Sequence, residues 1–153
     1  MLPTSQEDEL HMRRCLELAR EARDRGEVPV GAVVVLRAEV IGEGANRCAE
    51  DRSPLAHAEM LALAAGLRWT GEGRLPGAVL YSSLEPCFMC SGALLHARIE
   101  RVVFAARDPK FGACGSLAQL PLDPRLNHRC QVSEGLMAEA SARLLKDFFQ
   151  RLR

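Results

Sequence analysis

His57-Ala58-Glu59 and Pro86-Cys87-Phe88-Met89-Cys90 are the stretches of this sequence whose residue types and spacing suit chemistry. Two thiolates and one imidazole make a zinc donor set, and three protein ligands leave a fourth tetrahedral position for water. Zinc lowers the pKa of such a water toward about 7, so that a zinc-bound hydroxide becomes the nucleophile at neutral pH. Glu59 then serves as a proton shuttle beside that water and not as a ligand. The two signals differ in specificity. Shuffling this composition gives some His-x-Glu in about one chain in three, but a Pro-Cys-x-x-Cys in only about one in a hundred.

These side chains converge only if particular elements carry them. Cys87 and Cys90 are neighbours on one helix face, and a helix N-terminus stabilises thiolates. His57 and Glu59 lie on nearly opposite sides of a regular helix, so they share a site only in its first, irregular turn. Ser53-Pro54, as N-cap and first helical residue, predicts a helix opening just before them and running to about residue 67. Glu85-Pro86 predicts a second helix to about residue 97, and two helix N-termini then face one metal. Two other readings use the same residues. A structural zinc would take a fourth ligand from Cys114, Cys130 or His128, and a thiol–disulfide site would use Cys-x-x-Cys while leaving His57 and Glu59 without a task.

The remaining pattern places these helices in an α/β fold. Residues 6–25 form an amphipathic helix stopped by Gly26, 28–36 a buried strand, and 40–45 its hairpin partner. Further strands are expected at 78–81 and 102–105 and a short one at 131–132, with a last amphipathic helix from 137 onward. The loop 107–128 holds Gly112, Gly115, Pro109, Pro121 and Pro124, and loops of that length are usually functional. Strand–helix alternation predicts a mixed sheet covered by helices on both faces, a three-layer α/β/α sandwich. With 153 residues, no repeat and no linker, one domain spanning 1–153 is expected.

Composition excludes other classes. Apolar content of 48% with 26% charged residues is globular and argues against wholesale disorder. The longest apolar run, 28–36, is too short for a membrane span of roughly 20 residues. The acidic amino terminus lacks the features of a signal peptide, so the 6 cysteines read as reduced thiols in a soluble, cytoplasmic protein. Basic and acidic residues balance at 20 each, but the carboxy-terminal third carries +4 and the first 52 residues −3. An anionic partner should prefer the basic end.

His-x-Glu followed by Pro-Cys-x-x-Cys is an established signature of zinc nucleobase deaminases, the adenine-acting ones among them. The chain resembles the bacterial tRNA-specific adenosine deaminases of the cytidine deaminase-like superfamily over nearly its whole length. Beyond the zinc motifs, the resemblance rests on Glu27-Val28-Pro29-Val30-Gly31-Ala32-Val33, Gly42-Glu43-Gly44 with Asn46, and Leu84-Glu85-Pro86-Cys87. It continues through Arg98-Ile99, Arg101-Val102-Val103-Phe104, Ala106-Arg107-Asp108 with Lys110, Gly115-Ser116-Leu117, Asn127-His128-Arg129 and Phe148-Phe149. His57 departs from free-cytidine deaminases, which have Cys there. Guanine, cytosine and deoxycytidylate deaminases share the zinc motifs and are the alternative reading.

The resemblance implies a mixed five-stranded sheet, one zinc per subunit and a homodimer. Its substrate would be the wobble adenosine in a tRNA anticodon stem-loop, that of the arginine tRNA, converted to inosine. His57, Cys87 and Cys90 would hold the zinc, and Asn46 would hydrogen-bond the flipped base beside Pro29, Val30 and Leu84. Asp108, Lys110, Asn127 and His128 would contact the loop nucleotides, with Phe148 and Phe149 flanking the RNA. Phe148 and Phe149 also fit the core stripe of the last helix. Departures from the family pattern are Ala105 for Gly, a bulkier Phe88, and Leu152 in place of an arginine, between Arg151 and Arg153.

Overall fold

The computed structural model describes residues 2–152. Ser5 opens the first helix, α1 (Gln6–Asp24), with a reciprocal capping box. Its hydroxyl accepts from the Asp8 N–H, and the Asp8 carboxylate accepts from the Ser5 N–H. The strands β1 (Gly31–Leu36) and β2 (Glu39–Ala45) follow, then α2 (Ala58–Thr70), β3 (Val79–Leu84) and α3 (Phe88–His96). The strands β4 (Arg101–Ala106) and β5 (Gln131–Glu134) lead to the last helix, α4 (Ala138–Arg151). The sheet order is β2-β1-β3-β4-β5. β1 runs antiparallel to both neighbours, whereas β3, β4 and β5 are parallel.

Strand alternation divides the core into two layers. Ala32, Val34, Leu80, Val102, Phe104 and Val132 pack with α2 and α3 on one face. Val33, Val35, Tyr81, Val103 and Ala105 pack with Met12, Cys15 and Leu18 of α1 on the other, and α4 also packs against β4. The result is the three-layer α/β/α sandwich over a mixed five-stranded sheet that the sequence predicts. All six cysteines are free thiols. No helix among the described residues is long and apolar enough to cross a membrane.

Two glycines let α2 lie close on the sheet. A Cβ on Gly42 would sit 2.3 Å from the Ala62 carbonyl oxygen, and one on Gly44 would sit 2.3 Å from that of Ala58. Any side chain there would lift the helix off the strand, and at Gly44 it would do so at the end that carries His57 and Glu59.

Both site helices begin later than the sequence predicts. Ser53-Pro54 forms a turn instead of the start of α2. The Ser53 hydroxyl accepts from the Leu55 N–H, and the Arg47 N–H donates to the Ala56 carbonyl, tying the segment back to the end of β2. At Glu85 the extended chain continues, because its N–H donates to the Ala106 carbonyl at the end of β4. The Pro86 carbonyl accepts from Ala113, so the helix waits until Phe88.

Candidate active site

The delayed starts make His57 and Cys87 the N-cap residues of α2 and α3. Both have extended backbones, and neither side chain caps its own helix. Both are therefore available to something else, and Glu59 and Cys90 follow in the first turns. The α2 and α3 N-termini lie at the carboxyl ends of the parallel strands β3 and β4, where ligands of open α/β sheets bind.

The His57 Nδ1 lies 3.6 Å from the Cys87 Sγ and 3.4 Å from the Cys90 Sγ. Ordinary Zn–N and Zn–S bonds in a tetrahedral site would separate such atoms by about 3.5 Å. The three donor atoms lie within 4.8 Å of one another, and no further His, Cys or carboxylate joins them among the described residues. This is the donor count of an open, catalytic zinc site and not of a closed structural one. Cys114, Cys130 and His128 stand apart from the group, which removes the structural-zinc reading. The resident cofactor is one zinc ion.

The three donors hold their protons unequally. A hydrogen bond from Cys90, together with His57 close by, pulls the Cys87 thiol down to about 4. The same bond and burial push the Cys90 thiol up, and the hydrogen bond with Cys87 raises His57. Glu59 is only 4% exposed. Burial pushes its carboxyl up to about 7, against the opposing pull of its own backbone N–H and of His57.

A cavity of about 490 Å³ opens over this cluster, within the range of small-molecule sites. Asn46, His57, Glu59, Leu84 and Cys87 line it, with Val28, Val30, Cys48 and Asp108 around them and Phe88 and Phe111 at the rim. The Asn46 amide is held on both sides: its Nδ2 donates to the Val28 carbonyl at 3.3 Å, and its Oδ1 accepts from the Cys48 thiol at 3.1 Å.

Pro29 stands between Val28 and Val30, which line the cavity, and is not itself among the lining residues. The Val30 N–H donates to the Val28 carbonyl at 2.9 Å, a tight turn with Pro29 at its apex. The flanking valines line the cavity and the proline is buried outside it. Lys110 is exposed on the loop beyond the lining. Asn127 and His128 line a separate cleft with His96 and Arg98, and the His128 imidazole pairs with the Ile99 carbonyl. Phe148 is buried and packs edge-to-face on Phe149, which is 46% exposed. Leu152 is exposed, and Arg153 lies outside the described residues.

Glu85 is the site residue that spacing alone does not reveal. Its buried carboxylate accepts the N–H groups of Asp108, Cys114 and Ser116 and the Ser116 hydroxyl. Burial pushes this carboxyl up, but those donors outweigh it and hold it below the ordinary range. A Cβ on Gly112 would sit 2.3 Å from the Glu85 carboxylate, so the loop closes around the anion only with glycine there. A charged residue between an apolar strand and a Pro-Cys motif is the one sequence signal that pointed to it.

Fold and site together define a zinc-dependent deaminase of α/β/α architecture. The comparisons agree. Residues 5–106 match the family described as the cytidine and deoxycytidylate deaminase zinc-binding region, and the chain belongs to that family. It is 47% identical over 150 residues to a tRNA-specific adenosine deaminase of Haemophilus influenzae, covering 97% of this chain and 87% of the relative. It is 42% identical over 147 residues to that of Bacillus subtilis, covering 96% and 91%.

Among solved structures, one from a study of A-to-I editing by tRNA:A34 deaminases at the wobble position superposes with a TM-score of 0.86. It is 42% identical, over 89% of this chain and 99% of that one. A guanine deaminase from Nitrosomonas europaea superposes at 0.75 with 27% identity, over 97% and 86%.

Proposed function

We propose that this single-domain enzyme hydrolyses adenosine to inosine at the wobble position of a tRNA anticodon stem-loop, that of the arginine tRNA, and works as a cytoplasmic homodimer. The carrying observation is the open His57–Cys87–Cys90 triad with Glu59 buried beside it, at the floor of a cavity of nucleobase scale. The relatives named tRNA-specific adenosine deaminase, alike over nearly the full chain, support adenosine in tRNA over a free base.

His57, Cys87 and Cys90 hold the zinc, which supplies the Lewis acidity that makes water nucleophilic at neutral pH. Glu59 takes one proton from the attacking water and places it on the ring nitrogen N1, where inosine keeps it, and then moves the second from the new C6 hydroxyl to the departing amine. The water oxygen bonds to C6, the C6–N bond breaks, and ammonia leaves. Asn46, its amide oriented by Val28 and Cys48, hydrogen-bonds the base edge, and Val30 and Leu84 close the apolar wall. Asp108 and Lys110 on the rim, and Asn127, His128 and Phe149 beyond it, supply contacts to loop nucleotides, while Phe148 packs the last helix. Extruding one base costs a few kcal/mol, least in a loop that is already single-stranded.

The test is a panel of tRNA anticodon stem-loops with adenosine at the wobble position. Inosine should form fastest in the arginine loop, and sedimentation should give twice the chain mass. Equal rates across the panel would remove the arginine assignment, and a monomer active at full rate would remove the dimer.

A further inference from the structure

Seven aromatic residues (five Phe, one Tyr, one Trp) stand in the whole chain, and two are spent at the mouth of the catalytic cavity. Phe88 is 46% exposed and Phe111 is 65% exposed, and both line the same cavity as Glu59 and Cys87. Scattered exposed apolar side chains need no explanation, but two rings converging on one catalytic opening do. Neither ring pairs with another aromatic among the described residues, so neither has an aromatic neighbour covering its face.

Both rings are exposed on immobilised backbone. Phe88 opens α3 between the two cysteine ligands. Phe111 sits in a loop fastened to Glu85 through the N–H groups of Asp108, Cys114 and Ser116. Its own N–H and that of Lys110 donate to the Asp108 carboxylate, at 3.3 and 3.0 Å. A preorganised ring loses little freedom when a ligand settles on it, which favours binding. The adjoining Lys110 ammonium makes no ion pair among the described residues, which suits a polyanionic strand.

We propose that Phe88 and Phe111 are stacking platforms for the two bases that flank the target adenosine. This rests on the reading of the cavity as a site for one extruded base of a single strand. Chain continuity then brings the neighbouring nucleotides to the rim, where the two rings stand. Stacking is sequence-tolerant because every base has a π-face. Stacking at the rim therefore supplies grip on the two flanking nucleotides, and the identity of the target base is read at the floor.

The experiment is a cycle on anticodon stem-loops that are intact or abasic at the position 5′ or 3′ of the target, with the zinc-loaded enzyme. Phe88→Ala and Phe111→Ala should each lower kcat/KM on the intact loop about tenfold, chiefly through KM. Each should lose nothing further on the loop abasic at its own partner position. Phe111→Trp should restore the rate, with zinc content and melting temperature unchanged throughout. Unaltered kcat/KM in both alanine variants would overturn the proposal. So would multiplying losses from ring and base, or a shift from dimer to monomer as the sole effect, which would make the rings a subunit contact. If the unsubstituted enzyme forms no inosine in the intact loop, the single-strand reading fails first and takes the platforms with it.

Discussion

At the cavity floor, His57, Glu59, Cys87 and Cys90 hang from the first turns of two helices that the core holds against the sheet. At the rim, Asp108, Lys110 and Phe111 hang from a loop outside helix and strand, fastened to one buried carboxylate. The floor is fixed by packing and gains stability from the metal. The rim is fixed by polar contacts that a single proton or methyl group can disturb. Chemistry that demands sub-ångström placement sits on rigid elements, whereas the rim, apart from Phe88 at the start of α3, is carried by the loop.

Changes at the floor should be the largest and should leave the grip alone. Glu59→Ala is expected to lower kcat at least a thousandfold while zinc content and stem-loop affinity stay unchanged, because Glu59 moves protons and is not a ligand. Cys87→Ala should instead lose zinc and lower the melting temperature, since metal affinity contributes to folding. Equal zinc loss in the two variants would erase that division of roles.

Gly44→Ala probes how packing sets the floor. Its Cβ would meet the Ala58 carbonyl at 2.3 Å, an overpacking expected to cost about 1–3 kcal/mol. Urea unfolding should show the loss, and a chelator competition should show weaker zinc binding as α2 shifts. Unchanged zinc affinity would mean that the helix start is not set by this contact.

A third region provides a control remote from both. Burial pushes the Asp8 carboxyl up, but hydrogen bonds from Arg101, Tyr81 and Ser5 outweigh it and hold it at about 2. Against an unfolded value near 3.9, this contributes about 2–3 kcal/mol. That stability is fully present above about pH 4 and is lost as pH falls through about 2. Asp8→Asn should flatten this acid limb in urea midpoints without altering kcat at neutral pH.

At the rim the effect should be smallest. Lys110→Ala should weaken stem-loop binding several-fold and reduce the salt slope by about one, as one phosphate contact is removed. An unchanged salt slope would place the phosphates elsewhere.

The same contrast explains what the sequence reveals. His-x-Glu and Pro-Cys-x-x-Cys together announce the floor because zinc restricts the ligand types and the proton shuttle must share the first turn of a ligand's helix. The strands announce themselves through β-branched runs such as Val33-Val34-Val35. The helix starts slip by a few residues because a turn held by the Ser53 hydroxyl and an extended stretch held by the Glu85 N–H come before them. The rim is legible only through the loop's length and the family resemblance, which names Asp108 and Lys110: the 107–128 loop has no periodicity, and Glu85 meets its partners 23 to 31 residues away.

The most direct measurement gives the zinc-loaded enzyme an anticodon stem-loop, free adenosine, guanine and cytosine in parallel, and counts inosine and ammonia. A floor that deaminates adenine beneath a rim that grips a single strand predicts one inosine and one ammonia per loop, formed only at the wobble adenosine. It predicts far slower turnover of free adenosine and none of guanine or cytosine. Ammonia released from guanine or cytosine, with no inosine in the loop, would contradict it.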